Sequence, residues 1–288
     1  MTKLRKDRRL GSSTIATRFC RICLTEIRAT RSKLARAEIA EAVGQLIAEF
    51  PAMALLRTLQ TRLHSAVVGA GQTPARLDAD SITEVFEEFL RELTENRNRA
   101  ARNFATSASR CGKFLTLSSS GAVLEASAAL NATRSMGGTR KSGHLTLVVC
   151  ESRPACEGIT MARRLSRAGC RAIVITDAAM GTWIEKVDAV ILGADWIDRR
   201  GFINKTGSQA MSMLARANGK PVYVIGDSLR VRRTVFSASR LPLSEAKGGH
   251  GGSELSILTP LFERVEWGRE HLLVTESRIS HPARRSGV

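Results

Sequence analysis

Short apolar runs alternate with helical segments from about residue 110 onward, and this alternation restricts the fold more than any other feature of the sequence. The runs are Phe114–Leu117, Leu145–Cys150, Ala172–Thr176, Ala189–Leu192 and Val222–Ile225. Helical patterns such as Ile159–Ala168 and Ser208–Ala217 lie between most of them. Buried strands that alternate with helices are typical of βαβ units. The sequence therefore predicts an α/β fold with a mostly parallel, open sheet.

The first hundred residues follow a helical pattern instead. Ser81 and Glu84 have capping-box spacing, and apolar residues recur at helical offsets from Ile82 to Leu93. We therefore predict a helical domain over residues 1–108 and an α/β domain with the ligand pocket over residues 109–288. Two polar, glycine-containing segments, Thr133–His144 and Lys247–Ser253, are predicted to be loops.

The chain is strongly basic, with 44 Lys and Arg against 27 Asp and Glu, which gives a net charge of +17. Residues 1–40 hold eleven basic and three acidic side chains. This excess fits either a surface for nucleic acid or a solvated basic face. We favour the solvated face, because aromatic residues for base stacking do not accompany the charge. The basic start also resembles an organellar transit peptide, which we hold as a minority interpretation. No apolar run is long enough to span a bilayer, so we expect no membrane partner.

Six cysteines are spread over the chain without the spacing of a zinc site. Cys20 and Cys23 form a single CxxC with no second pair and no nearby His, and three residues apart on a helix they share one face. We interpret them as core residues and predict no metal site. A reducing, cytoplasmic environment follows as the expected location.

Polar residues follow each of the five predicted strands. Because ligands bind beyond the carboxyl ends of strands in an open α/β sheet, these exits mark a candidate pocket. The exits contain Ser118–Gly121, Glu151–Pro154, Asp177, Gly193–Asp195 and Gly226–Asp227. Ser118, Ser119 and Ser120 open a predicted helix, whose free N–H groups suit a phosphate.

Three further residues have the chemistry of a phosphate-ligand site. Lys205 supplies a cation for a phosphate, Asn204 a hydrogen bond for a hydroxyl, and Asp195 a general acid or base if it is partly desolvated. The alternatives are a helix cap or a loop salt bridge for Asp195, and an internal ion pair for Glu151 and Arg153. The sequence has no P-loop, no GxGxxG dinucleotide motif and no HExxH.

Taken together, these motifs resemble the alpha/beta/delta subunits of translation initiation factor 2B. That family includes the ribose 1,5-bisphosphate isomerases and the methylthioribose 1-phosphate isomerases. The motifs that carry the resemblance are Glu151-Ser152-Arg153-Pro154, Glu157-Gly158, Thr176-Asp177-Ala178-Ala179, Gly193-Ala194-Asp195, and Gly201 with Asn204-Lys205 and Gly207. The likeness extends to Asp7-Arg8 and Gly11-Ser12 at the start and to Val274-Thr275-Glu276 near the end.

The resemblance implies a helical domain followed by a Rossmann-like sheet, a dimer built through the α/β domain, and a pocket for a phosphorylated sugar or nucleotide without a cofactor. In the isomerases a Cys and an Asp convert an aldose to a ketose. The Asp corresponds to Asp195, and the Cys position holds Ser118. The residues implied as ligand-binding are Gly11, Ser12, Ser119, Ser120, Glu151, Arg153, Asp177, Asn204 and Lys205.

The chain departs from the isomerase pattern at three positions. Ser118 replaces the Cys, and a hydroxyl is a far poorer acid or base near neutral pH than a thiol. Leu10 and Phe50 stand where the isomerases place arginines. The absence of these two arginines would weaken the binding of a ligand with two phosphates.

Three functions therefore remain open at the level of sequence. The leading hypothesis is a regulatory protein of the initiation factor 2B type with weakened catalysis, which binds a sugar phosphate or nucleotide and assembles as a homodimer or with related subunits. The second is a working sugar-phosphate isomerase that uses Asp195 and a different partner acid. The third is an RNA-associated protein that uses the basic N-terminus.

Overall fold

The computed structural model describes residues 11–30, 35–69, 79–136, 144–241, 243–248 and 255–285. Its helices are α1 (Ser12–Thr30), α2 (Ala35–Glu49), α3 (Ala54–Gly69), α4 (Ala79–Ser107), α5 (Gly121–Met136), α6 (Glu157–Arg167), α7 (Met180–Ile184) and α8 (Ser208–Ala217). The strands are β1 (Lys113–Leu117), β2 (Thr146–Cys150), β3 (Arg171–Ile175), β4 (Ala189–Gly193), β5 (Trp196–Ile197), β6 (Gly201–Lys205), β7 (Val222–Ile225), β8 (Leu243–Gly248), β9 (Leu255–Pro260), β10 (Phe262–Glu266), β11 (His271–Val274) and β12 (Ile279–Ser280).

The central sheet has seven strands in the order β12-β11-β7-β4-β1-β2-β3. Every neighbouring pair is parallel except β11 and β12, which are antiparallel. The chain runs outward from β1 through β2 to β3 and then returns to place β4 on the other side of β1. This reversal makes the gap between β1 and β4 the topological switch point of the sheet. The predicted α/β class, a helical region followed by a mostly parallel sheet, is confirmed.

The five predicted strands all form, within one residue at each end. Strands β2 and β4 are buried along their whole length, because helices cover both faces of the sheet. One predicted loop is partly wrong: α5 continues to Met136 through the start of the Thr133–His144 segment. The second predicted loop, Lys247–Ser253, is also partly wrong, because Lys247 and Gly248 belong to β8. The rest of the first segment up to residue 143, and residues 249–253 of the second, lie outside the described residues.

A second sheet, in the order β10-β6-β5, was not predicted. Its strand β6 contains Asn204 and Lys205, for which the sequence predicted no strand. Strand β5 has two residues, too few to show an alternating pattern. The hairpin of β8 and β9 forms a separate two-stranded sheet.

Helices α1 to α4 form one apolar core with residues from the sheet region. Phe19, Phe86 and Phe89 are fully buried within it, and Trp196 and Phe262 join it from beyond β4 and β9. Cys20 and Cys23 belong to the same core, as their spacing predicts. The 1–108 and 109–288 division remains a proposal about domain boundaries. No helix in the described ranges is long and apolar enough to cross a membrane.

Asp198 fixes the corner between β5 and β6 through its carboxylate. Oδ1 and Oδ2 receive Arg264 Nη2 at 2.6 Å and Nη1 at 3.1 Å, and the backbone N–H groups of Arg200 and Phe236 donate at 2.9 and 3.1 Å. Burial alone would raise the pKa of Asp198, but hydrogen bonds from Arg264, Phe236 and Arg200 outweigh it and lower the pKa. A paired, hydrogen-bonded carboxylate of this kind stabilises the fold only while it is ionised.

We expect Asp198→Asn to lower the free energy of unfolding at pH 7 by at least about 2 kcal/mol, because charge-assisted bonds are lost. Because the folded-state pKa is lowered, the stabilisation is present above the unfolded pKa of about 3.9 and is lost as the pH falls through the folded pKa. Urea unfolding between pH 7 and pH 2 measures this. The difference between wild type and variant should shrink toward the acid end, and a constant difference would contradict the assignment.

Candidate functional site

A pocket lies at the switch point between β1 and β4. Residues that follow these two strands line it, together with the start of α1, the end of β6 and a turn after β7. Its polar lining consists of Ser12, Ser13, Thr14, Ser118, Ser119, Ser120, Asp195, Asn204, Lys205 and Arg230. The structure thus brings together the predicted residues Gly11, Ser12, Ser118, Ser119, Ser120, Asp195, Asn204 and Lys205.

The N-terminus of α5 forms one wall of the pocket. Ser118 has a φ of 60°, which turns the chain sharply from β1 toward the helix. Ser119 and Ser120 then precede Gly121, the first residue of α5. A Cβ on Gly121 would lie 2.7 Å from Nη2 of Arg97, so the guanidinium passes directly over this helix start. The first N–H groups of a helix have no partner within it and face an anion favourably.

The N-terminus of α1 forms the opposite wall. Gly11 packs closely against the α5 side, since a Cβ there would lie 3.0 Å from the carbonyl oxygen of Ser119. Ser12 donates from both its hydroxyl and its backbone N–H to Asp195. Two helix N-termini therefore point into one small space, which is an arrangement that favours negative charge.

Asp195 is the acidic group of the pocket. It is 9% exposed, and its own N–H donates to the carbonyl of Ile203 at 2.9 Å, which pins the residue between β4 and β6. Burial raises the pKa of Asp195, although Ser12, Arg230 and Lys205 each oppose the rise. A carboxyl group with a raised pKa is suited to proton transfer near neutral pH.

Lys205, at the end of β6, lines the pocket and faces Glu157. Its Nζ is 3.0 Å from Oε1 of Glu157, and the two side chains are 13% and 5% exposed. The Ser118 hydroxyl donates to the same Oε1 at 3.1 Å. The Asn204 amide donates to the Ser208 hydroxyl at 2.9 Å, which fixes its orientation at the pocket edge.

Arg230 supplies the second cation of the lining. Its guanidinium is ion-paired with Asp227, and both side chains are almost fully buried, at 3% and 1% exposure. It also donates to the Ser13 hydroxyl at 2.5 Å, which ties the start of α1 to the turn after β7. Burial lowers the pKa of Arg230 to about 10, so the group stays charged at neutral pH.

Three predicted ligand-binding residues do not line the pocket. Asp177 accepts the N–H groups of Ser152 and Arg153 at 2.8 Å each, and so holds the loop after β2. Arg153 is exposed and lies 3.6 Å from Glu151, the internal ion pair that the sequence left open. This loop acts on the site indirectly, because the Ser152 hydroxyl accepts the N–H of Ser118 at 2.6 Å.

Three residues that act on the site were not predicted from the sequence: Arg230, Glu157 and Arg164. Arg230 lies three residues beyond Asp227, the last residue of the predicted exit of β7. Glu157 appeared only as part of a motif. Arg164, on α6, places Nη1 3.4 Å from the Ser119 hydroxyl, and no sequence pattern marks it. Phe50, at one of the positions where the resemblance implies an Arg, is buried in the helical core.

The space enclosed by these residues has a volume of about 30 Å³. That is room for about one water molecule, whereas ligand pockets usually measure about 300–1,000 Å³. A ligand as large as a sugar phosphate therefore requires the walls to move apart. No group of three or more His, Cys, Asp or Glu that could hold a metal ion occurs among the residues that the structure describes.

Comparison with known proteins relates this chain to one family. The family model of the Initiation factor 2 subunit family matches residues 9–247. A Pyrococcus horikoshii protein described as translation initiation factor eIF-2B subunit 2-like is 26% identical over 285 residues, covering 99% of this chain and 96% of the relative.

Two solved structures share the fold. The translation initiation factor eIF-2B of Pyrococcus horikoshii superposes with a TM-score of 0.82 at 24% identity, over 99% of this chain and 96% of the other. The 5-methylthioribose 1-phosphate isomerase of the same organism superposes with a TM-score of 0.75 at 19% identity, over 98% and 83%.

Proposed function

The chain belongs to the initiation factor 2 subunit family, and we propose that it binds a phosphorylated sugar or nucleotide at the switch-point pocket, as a regulatory protein with weakened catalysis. The observation that carries this proposal is the convergence of the α1 and α5 N-termini on one pocket that also holds Asp195, Asn204 and Lys205. Helix N-termini bind phosphate, and the amide and carboxylate suit sugar hydroxyls.

The weakened catalysis rests on Ser118. At the position where the resemblance implies a thiol, the structure has a hydroxyl that already donates to Glu157. The cysteines do not replace it, because none of the six is among the residues that line the pocket. An aldose–ketose conversion needs two groups that exchange protons near neutral pH, and a serine hydroxyl is a poor one.

A second candidate is a working aldose–ketose isomerase for a ribose phosphate. The raised pKa of Asp195 favours it, because a desolvated carboxyl group is suited to moving a proton between carbon and oxygen. Under this alternative Asp195 acts with a partner other than a thiol.

Phosphorus NMR separates the two candidates. The protein is incubated with ribose 1,5-bisphosphate and, separately, with methylthioribose 1-phosphate. We expect shifted or broadened substrate signals and no ketose phosphate. New ketose resonances that disappear in Asp195→Asn would establish the isomerase instead. Sharp, unchanged signals with both compounds would direct the search to nucleotides.

Assembly and location are proposals of the same kind. We propose a homodimer through the α/β region, or assembly with related subunits, in the cytoplasm. Light scattering of the purified chain measures the oligomeric state.

The RNA alternative depends on the basic residues 1–10, which lie outside the described residues. Its test is the deletion of these residues: salt-sensitive RNA binding that disappears with them would support the alternative.

A further inference from the structure

The cations in the pocket lining each face a carboxylate of the protein. Lys205 pairs with Glu157, and Arg230 pairs with Asp227. All four groups are largely or fully buried, so water does little to screen these pairs. Asp195 adds a further acidic group to the lining. The Lys205 end of the pocket therefore offers an anion little net positive charge, even though it contains a lysine.

Glu157 neutralises Lys205 from behind the pocket. It is absent from the lining and contacts the ligand space only through Lys205 and Ser118, which share its Oε1. Its second oxygen, Oε2, is buried and has no hydrogen-bond partner in the part of the chain that the structure describes. The buried Glu157 carboxylate therefore depends on Lys205 for the compensation of its charge. A phosphate brought to Lys205 would compete with Glu157 for the same ammonium group.

The helix starts that line the pocket keep a net positive charge. There the N-termini of α1 and α5 meet; Ser12 of α1 donates to Asp195, and Arg164 lies against Ser119 before the start of α5. Within the described ranges Arg164 forms no ion pair, although Glu125, which is paired with Arg97, attracts it. The two helix ends and the Arg164 guanidinium, less the charge of Asp195, balance about one phosphate group.

We infer that Glu157 is a positioning residue that sets ligand specificity: it restricts the pocket to ligands with one phosphate, bound at the helix N-termini, and a neutral hydroxyl-bearing part at Lys205 and Asn204. This inference rests on the proposed function, which leaves the number of phosphates open. A second phosphate at Lys205 would meet a lysine whose charge is already compensated. A hydroxyl group there meets no such penalty and accepts or donates a hydrogen bond.

The test compares ribose 5-phosphate with ribose 1,5-bisphosphate by isothermal titration calorimetry on the full chain. We expect wild type to bind the monophosphate about tenfold more tightly, and Glu157→Gln to tighten bisphosphate binding by about tenfold with little change for the monophosphate, since one charge-assisted contact is at stake. Glu157→Asp keeps the charge and should keep the wild-type ratio. Glu266→Gln, which removes the same charge from an exposed ion pair with Arg200, is the matched control.

The results distinguish the specificity role of Glu157 from the sugar-phosphate binding on which it rests. A wild type that prefers the bisphosphate, or a Glu157→Gln variant whose affinity ratio is unchanged, overturns the specificity role while phosphate binding stands. Equal loss of both affinities in Glu157→Gln would show a merely structural role and also overturns it. Failure of both sugars to bind wild type and every variant overturns the sugar-phosphate function together with this inference.

Discussion

Arg230→Met is expected to lower the free energy of unfolding by about 3–5 kcal/mol, because it leaves the carboxylate of Asp227 buried without its counter-ion. Asp227 is 0% exposed, and its Oδ1 already has no hydrogen-bond partner among the described residues. Methionine replaces much of the aliphatic volume of the arginine, so the loss reflects charge more than a cavity. For a chain of this length the melting temperature should fall by about 10 °C.

The matched control is Arg200→Met. Arg200 pairs with Glu266 at 3.1 Å, but the two side chains are 59% and 66% exposed. Exposed pairs contribute at most about 1 kcal/mol, so this variant should melt close to wild type. Thermal and urea unfolding of both variants at pH 7 provide the comparison. Equal losses of unfolding free energy in the two variants would mean that the burial of the Arg230–Asp227 pair does not determine how much its removal destabilises the fold.

A double variant tests whether the unpaired charge of Asp227 causes the loss of stability. Arg230→Met with Asp227→Asn removes both members of the pair, and the double variant should recover part of the stability lost in Arg230→Met. If it recovers nothing, the loss comes from the other contacts of Arg230, which are the bond to Ser13 and the attraction to Asp195. Either result therefore shows whether the pair with Asp227 holds this part of the pocket together.

The sequence predicted the central strands because their pattern is local. Strands β1, β2, β4 and β7 of the main sheet are short apolar segments that are almost entirely buried, and that burial leaves a continuous apolar signal. The edge strand β3 is only partly buried but is also largely apolar. Strands β5 and β12 have two residues each, and each forms a short antiparallel pair with the neighbouring strand in the sequence. No period can be recognised in two residues, so they were not predictable.

The strand pattern by itself predicts site residues only where they directly follow a strand, whereas Asn204 and Lys205 were predicted from their chemistry and Gly11 and Ser12 from the family resemblance. Asp195 and Ser118 to Ser120 satisfy that condition, and the structure places them together. Arg164 lies in the last turn of α6, and its approach to Ser119 depends on how that helix packs against α5. Its sequence neighbours look like any exposed helix face. Glu151 and Arg153 were predicted to line the pocket but do not. They follow β2 directly, but β2 lies one strand away from the switch point.

Gly158→Ala is expected to destabilise the fold by about 3 kcal/mol or more, although alanine is the better helix former. A Cβ at this position would lie 1.9 Å from the carbonyl oxygen of Cys150 and 2.9 Å from its carbonyl carbon. Both are backbone atoms of a buried strand, so no side-chain rotation relieves the contact. The start of α6 must move away from the end of β2.

Gly44→Ala is the matched control and should change the free energy of unfolding in the opposite direction. Gly44 lies inside α2, and a Cβ there has no neighbouring atom within 4 Å. Removing a helix-interior glycine under these conditions should stabilise the chain by about 0.5–1 kcal/mol. Urea unfolding at pH 7 resolves both changes. Similar effects of the two substitutions would contradict the close approach of α6 to β2.

The consequences of Gly158→Ala should reach the pocket. Gly158 is adjacent to Glu157, and its N–H donates to the carbonyl of Glu151 at 3.1 Å. A shift of this helix start carries Glu157 away from Lys205 and Ser118, whose positions are set by β6 and β1. By the reasoning applied to Glu157→Gln, the variant should therefore lose stability and bind ribose 1,5-bisphosphate more tightly relative to ribose 5-phosphate. Gly44→Ala, whose helix does not line the pocket, should change stability alone.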